Sequence, residues 1–210
     1  MTSLRAVPLA LGLACLLALA GCSNDVGSSG NQGYVAGKGV ITSVQAADRK
    51  KPGEVAGRTL DGKRVSLADF RGKVVVVFFG FTHCPDVCPT TMLEFSQVAK
   101  ELGPEAAKLQ VLFVTVDPER DTPEVLRQYI PSFNPGFLGL YGTVEETSRA
   151  AKNFKVYFHK QPQRGGDYTV DHTAGTYVLD PSGRLRLFAQ YGAGAQVFLR
   201  DIRVLLREAA

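Results

Sequence analysis

From Val74 to Phe79 the chain reads VVVVFF without a polar break, the pattern of a strand buried on both faces of a sheet with parallel pairing. Val111 to Val116 (VLFVTV) reads as a second buried strand of the same type, broken only by Thr115. Between these runs Met92, Phe95, Ala99 and Leu102 recur at helical spacing until Gly103-Pro104 stops them, so the middle of the chain predicts a strand, helix, strand crossover. Upstream, Asp61-Gly62 lies between two alternating runs and predicts a small β-hairpin ahead of the core. Downstream, Thr122 suits a helix N-cap with Pro123 as first helical residue, and Phe137 to Tyr141 reads as a short strand. Thr143 with Glu146 forms a capping box for a helix to about Asn153. Lys160 to Gly166 reads as a polar loop. Thr176 to Leu179 and Leu185 to Ala189 flank Asp180-Pro181-Ser182-Gly183 as two antiparallel strands joined by a turn, and Phe198, Ile202, Leu205 and Ala209 line a closing helix. The sum is an α/β three-layer sandwich.

The N-terminus follows other rules. After Arg5, an apolar stretch from Leu9 to Ala20 closes on Leu19-Ala20-Gly21-Cys22. At about twelve residues the stretch is short for a membrane span, which needs about 20, and suits the core of a signal peptide. The junction resembles a bacterial lipoprotein signal, which implies that residues 1–21, with Cys15, are removed and that Cys22 carries lipid on its sulfur. Ser23 to Gly33 (SNDVGSSGNQG) then reads as a flexible tether, residues 22–33, ahead of one folded domain over residues 34–210. This organisation places the domain in a bacterial cell envelope, held at a membrane and facing the periplasm or extracytoplasmic space.

The formal net charge of the 210-residue chain is +4, and +3 without Arg5. Its basic residues are interspersed with acids, so no nucleic-acid partner is expected.

Removing Cys15 and lipidating Cys22 leaves two cysteines for chemistry, in Phe81-Thr82-His83-Cys84-Pro85-Asp86-Val87-Cys88-Pro89. Both precede proline, and a residue before proline is pushed toward extended angles. Cys88 is thereby expected as the N-cap of the helix, where unpaired N–H groups favour thiolate. Their spacing also places the Cα atoms roughly 6 Å apart, within the disulfide window. The pair can be oxidised to a disulfide, reduced, or metallated; a permanent disulfide across so short a loop would contribute little closure entropy.

Of the three histidines, His83 is a neighbour pointing away from the pair and His159 opens a polar loop. His172 differs. In a sandwich of thioredoxin type, the segment before the strand ending at Leu179 presents a cis-proline to the redox cysteines; this chain has no proline between Gln163 and Asp180 and places His172 there. Asp171 or a backbone carbonyl would fix its ring. Two thiolates and an imidazole form a soft, three-ligand set that favours copper over the closed four-ligand sites of structural zinc, although zinc fits the ligand types.

Three motifs, the cysteine segment above, Asp117-Pro118-Glu119-Arg120-Asp121-Thr122, and Val170-Asp171-His172-Thr173, occur in that order. In them the chain resembles the Sco/SenC family of copper-binding cytochrome c oxidase assembly proteins. The resemblance runs from about Leu60 to the closing helix and takes in Gly142-Thr143-Val144-Glu145-Glu146 and Phe154-Lys155-Val156-Tyr157. It implies a thioredoxin-like fold with an added N-terminal β-hairpin and one copper ion on Cys84, Cys88 and His172. It also implies a role in building the dinuclear copper centre of oxidase subunit II, with a periplasmic copper donor and a thiol reductant as further partners. Asp117, Arg120 and Asp121 are expected to form a capped, salt-bridged loop that does not bind metal.

The same pair could serve instead as a thiol-disulfide oxidoreductase acting on the copper-site cysteines of the oxidase. Peroxidase chemistry on this scaffold would need a threonine three residues before the attacking cysteine, where Phe81 stands.

Overall fold

The computed structural model describes residues 57–208. The signal, Cys15, Cys22, the tether and Ala209 lie outside the described residues.

The two VVVVFF-like runs form the heart of the molecule. Strands β3 (Val74–Gly80) and β4 (Leu109–Thr115) are buried at every position and pair in parallel, Val74 opposite Leu109 through Gly80 opposite Thr115. Their helix, α1 (Val87–Leu102), completes the crossover. β5 (Leu138–Leu140) adds in parallel to β4. On the other side β8 (Gly175–Leu179) and β9 (Leu185–Gln190) add antiparallel, giving the order β5-β4-β3-β8-β9. Helix α4 (Ala195–Glu208) packs beside α1, with the rings of Phe95 and Phe198 4.6 Å apart. Helix α3 (Val144–Phe154) covers the opposite face, where Phe154 meets Phe79 and Tyr177. This is the expected three-layer sandwich.

Helix α2 (Pro123–Tyr129) is capped by Thr122, whose hydroxyl accepts from the Val125 N–H, and α3 by the reciprocal Thr143 and Glu146 bonds. The N-terminal hairpin joins β1 (Gly57–Arg58) and β2 (Arg64–Val65) and docks on the sheet through the Arg58 and Tyr141 backbones. Gly62, at φ +84°, makes its turn.

The expectation for the segment after α3 fails. Lys160 to Gly166 is not simply a polar loop: β6 (Phe158–Pro162) and β7 (Tyr168–His172) form a two-stranded antiparallel sheet of their own, separate from the central one. Both strands are largely solvated, so they lack the apolar alternation that marks a half-buried strand. The available signal was Gly165-Gly166, both at positive φ, between the aromatic pair Tyr157-Phe158 and Tyr168.

The topology puts three segments at one edge of the sheet. The chain leaves β3 at Gly80 toward the cysteines, leaves β4 at Thr115 toward Asp117, and enters antiparallel β8 at Gly175 just after His172.

Candidate metal centre

Cys84, Cys88 and His172 meet at that edge, with one ligand atom from each lying within 4.8 Å of the others. Both cysteines are free thiols. His83 and His159 are exposed, and His159 sits opposite Asp171 in the β6–β7 pairing, away from the group. None of Asp117, Arg120 and Asp121 joins the cluster.

Cys88 is not the N-cap that its proline suggested. Helix α1 begins at Val87 with Asp86 before it, and the Asp86 carbonyl accepts the first helical bond, from Thr90, at 3.1 Å. The first turn of a helix leaves its N–H groups without intrahelical partners, so Pro89 sacrifices no bond inside the turn and does not mark the start. The consequence is a division of labour between the sulfurs. The Cys88 N–H, one of those free donors, points at Cys84 Sγ at 3.4 Å. The half-buried Cys84 sulfur, not the fully buried Cys88 sulfur, therefore receives the helix terminus.

The acidities follow. The Cys84 thiol is lowered to about 4, chiefly because the Cys88 thiol donates to it, with burial opposing and the His172 ring and Cys88 N–H adding to the effect. Cys88 is pushed upward by the same hydrogen bond and by burial. The pair thus holds one proton, on the inner sulfur, and one negative charge, on the outer.

Gly80 makes the room. A Cβ there would stand 3.0 Å from Cys88 Sγ, 3.0 Å from Phe113 and 2.8 Å from Phe78.

His172 Nδ1 lies 3.2 Å from the Thr173 carbonyl, which can only accept, so Nδ1 is the donor there and Nε2 is the nitrogen turned toward the sulfurs. Nε2 faces Cys88 Sγ at 3.7 Å. Of the two anticipated ring partners the backbone carbonyl is the one present; Asp171 is exposed. Phe78 and Phe81 meet the imidazole at near-perpendicular angles, with centroids 6.3 and 5.8 Å away. Thr173 is itself held by Tyr157, through Thr173 N–H to the Tyr157 carbonyl and Tyr157 N–H to Thr173 Oγ1.

The loop between β4 and α2 is the capped, ion-paired structure its sequence suggested. Asp121, 1% exposed, accepts from Thr82 N–H and Thr82 Oγ1 on the cysteine segment and from Thr115 Oγ1. Asp117 accepts from Arg120 Nε at 2.6 Å and from the Tyr168 hydroxyl at 2.7 Å. Tyr168, Thr82, Thr115 and Gly80 were not singled out from sequence; Thr82, two residues before Cys84, could have been.

Two soft sulfurs and one imidazole nitrogen, one sulfur already ionised, form a donor set suited to a soft ion of low coordination number. The same pair is suited to attack on a disulfide, because the outer sulfur is both thiolate and accessible. Alkylation tests the asymmetry. Iodoacetamide is expected to label Cys84 and spare Cys88, at nearly the same rate from about pH 8 to about pH 6, slowing only as the pH approaches about 4. Cys88→Ala removes the donor, so labelling of Cys84 at about pH 6 slows as its acidity returns toward the free-thiol value of 9.0. Mass spectrometry of the labelled protein reads both. Because the folded Cys84 titrates below a free thiol, the stability it contributes grows upward from about pH 4 and is lost as pH falls through about 4.

A family model described as SCO1/SenC matches residues 56–207. The mitochondrial SCO2 homolog of Mus musculus is 42% identical over 139 residues, covering 65% of this chain and 54% of that protein. The chain spans about half the length of the curated relatives it matches. Among solved structures, Bradyrhizobium japonicum ScoI with copper bound superposes with a TM-score of 0.68 at 38% identity, covering 74% of this chain and 99% of that one. A SCO1/SenC family lipoprotein from Bacillus anthracis str. Ames gives 0.61 at 26% identity, covering 75% and 98%.

Proposed function

The chain belongs to the SCO1/SenC family, and on that premise we propose that it is a copper chaperone of the cell envelope. Cys84, Cys88 and His172 hold one copper ion per chain, and the protein supports assembly of the dinuclear copper centre in cytochrome c oxidase subunit II. The observation that carries the reading is the convergence of two sulfurs and an imidazole nitrogen within 4.8 Å. The copper bound by the similar Bradyrhizobium protein supports it. In this reading Cys22 anchors the protein by lipid, which the similarity to a Bacillus lipoprotein supports, while the curated mammalian relatives are mitochondrial. A periplasmic donor loads the ion, and a thiol reductant keeps the pair open.

Delivery proceeds by ligand exchange: thiolates and imidazoles of the acceptor replace the three donors in turn. Only the reduced pair can take part, since a disulfide between Cys84 and Cys88 removes two of the three ligands. The test is an anaerobic Cu(I) titration of the purified, reduced full chain against a chromophoric chelator. One ion per chain is expected, with none retained tightly after oxidation of the pair; tight binding that survives oxidation removes the site from these cysteines.

The acidity of Cys84 favours a second reading, reduction of the copper-site cysteines of the oxidase. The Cys84 thiolate attacks one sulfur of the partner's disulfide, expelling the other as thiolate. Cys88 then gives up its proton and attacks Cys84, releasing the second partner thiol. A Cys84–Cys88 disulfide remains and two electrons have passed to the partner. A reduction rate unchanged by His172→Ala supports this reading over metal delivery.

A further inference from the structure

His172 ends β7, and among the described residues β7 pairs only with β6, in a two-stranded sheet separate from the central one. The hairpin's position relative to the cysteines must therefore come from other contacts. Part of that placement is apolar, with Val170 buried in the core and Phe158 packed against it; the polar contacts gather at the opposite end of β7, on Tyr168. Arg120 Nη1 donates to the Tyr168 carbonyl at 2.8 Å and to Asp167 at 3.0 Å, and its guanidinium lies over the Tyr168 ring, 3.7 Å from the centroid. The Tyr168 hydroxyl and Arg120 Nε close on the two oxygens of Asp117, which is fully buried. Lys160 of β6 pairs with Glu119. Four residues after Asp117, the same loop holds the cysteine segment through Asp121 and Thr82.

We propose that the 117–121 loop is a bracket that sets the distance between His172 and the cysteines, with Arg120 and Tyr168 as positioning residues for the metal centre. One short loop grips the strand that ends in the imidazole and the segment that carries the sulfurs. The bracket touches no ligand atom. It acts by keeping the hairpin in its ligand-ready place, so that binding does not have to select that state from a mobile ensemble. The proposal rests on the copper reading for its functional consequence, and on the hydrogen bonds alone for its mechanical one.

Two measurements on the full chain separate these. In an anaerobic Cu(I) competition, Arg120→Ala is expected to lower affinity roughly tenfold, as loss of an outer support does, and Tyr168→Phe to lower it less. In a His172→Ala background Arg120→Ala is expected to change nothing further, because the residue acts only through the imidazole. In the metal-free protein, amide exchange is expected to rise in β6 and β7 while β3 and β4 stay protected. Equal losses of affinity in the two backgrounds, or unchanged exchange in the hairpin, overturn the bracket. If Arg120→Ala does not fold, Tyr168→Phe carries both measurements. A wild type that binds copper no better than His172→Ala overturns the copper reading instead, and the exchange experiment still decides the bracket.

Discussion

Replacing Cys88 with serine is expected to weaken copper binding by at least about a hundredfold, beyond the roughly ten- to hundredfold range that outer-shell changes produce, while leaving the fold in place. The substitution is nearly isosteric at a fully buried position, so packing beside Gly80 changes little. What changes is the donor. A serine hydroxyl stays protonated and is a hard ligand, so a soft ion keeps only Cys84 and His172. The hydroxyl can still donate to the Cys84 sulfur, so Cys84 remains a thiolate. That predicts a second signature: the variant attacks a partner disulfide but cannot resolve it, and the mixed disulfide accumulates. Competition titration reads the affinity, and nonreducing electrophoresis the trapped adduct. Copper affinity within about tenfold of the wild type would exclude Cys88 as a ligand.

The second large effect belongs to stability. Asp121→Ala is expected to cost about 3 kcal/mol, a sizeable part of the 5–15 kcal/mol that holds a typical domain folded. Its two oxygens satisfy Thr82 N–H, Thr82 Oγ1 and the fully buried Thr115 Oγ1. Each buried donor left unpaired costs about 1–3 kcal/mol, and half-buried Thr82 recovers part of that from water. Asp121→Asn keeps an acceptor and should fall between alanine and wild type. Burial, partly offset by the Thr115 and Thr82 hydrogen bonds, raises the Asp121 carboxyl above its usual 3.8. A raised folded value means this titration favours the folded state at acid pH and loses that contribution as pH rises through it. Protonating Asp121 is therefore not what unfolds the protein in acid. Urea titrations at neutral and acid pH check the ranking; an Asp121→Ala variant as stable as wild type would show that the loop bears no weight.

The convergence of Cys84, Cys88 and His172 was legible because each carries a local mark: two cysteines before prolines after a buried strand, and a histidine where this architecture expects a proline. The strands of the core were legible because continuous burial leaves continuous apolar sequence. The β6–β7 hairpin was not, because most of its residues face water and its polar docking, centred on Arg120 and Tyr168, leaves no periodic mark in the sequence. The start of α1 was misplaced for a related reason. Pro89 constrains its own φ, but the unpaired N–H groups of a first turn leave a proline free to sit at several positions there. Acidity likewise depended on geometry: which sulfur receives the Cys88 N–H is set by where Cys84 lies in space, and no spacing rule supplies that.

The unequal depth of the two sulfurs gives the centre a front and a back. A competing thiol arriving from solvent meets the half-exposed Cys84 and the edge of His172, whereas Cys88 lies behind them, fully buried beneath Gly80. Under the delivery proposed above, release is a peeling sequence with a fixed order, in which the inner sulfur lets go last. The lifetime of a half-transferred complex is governed by that single contact, so a change that loosens Cys88 should quicken the final step of hand-over more than the first.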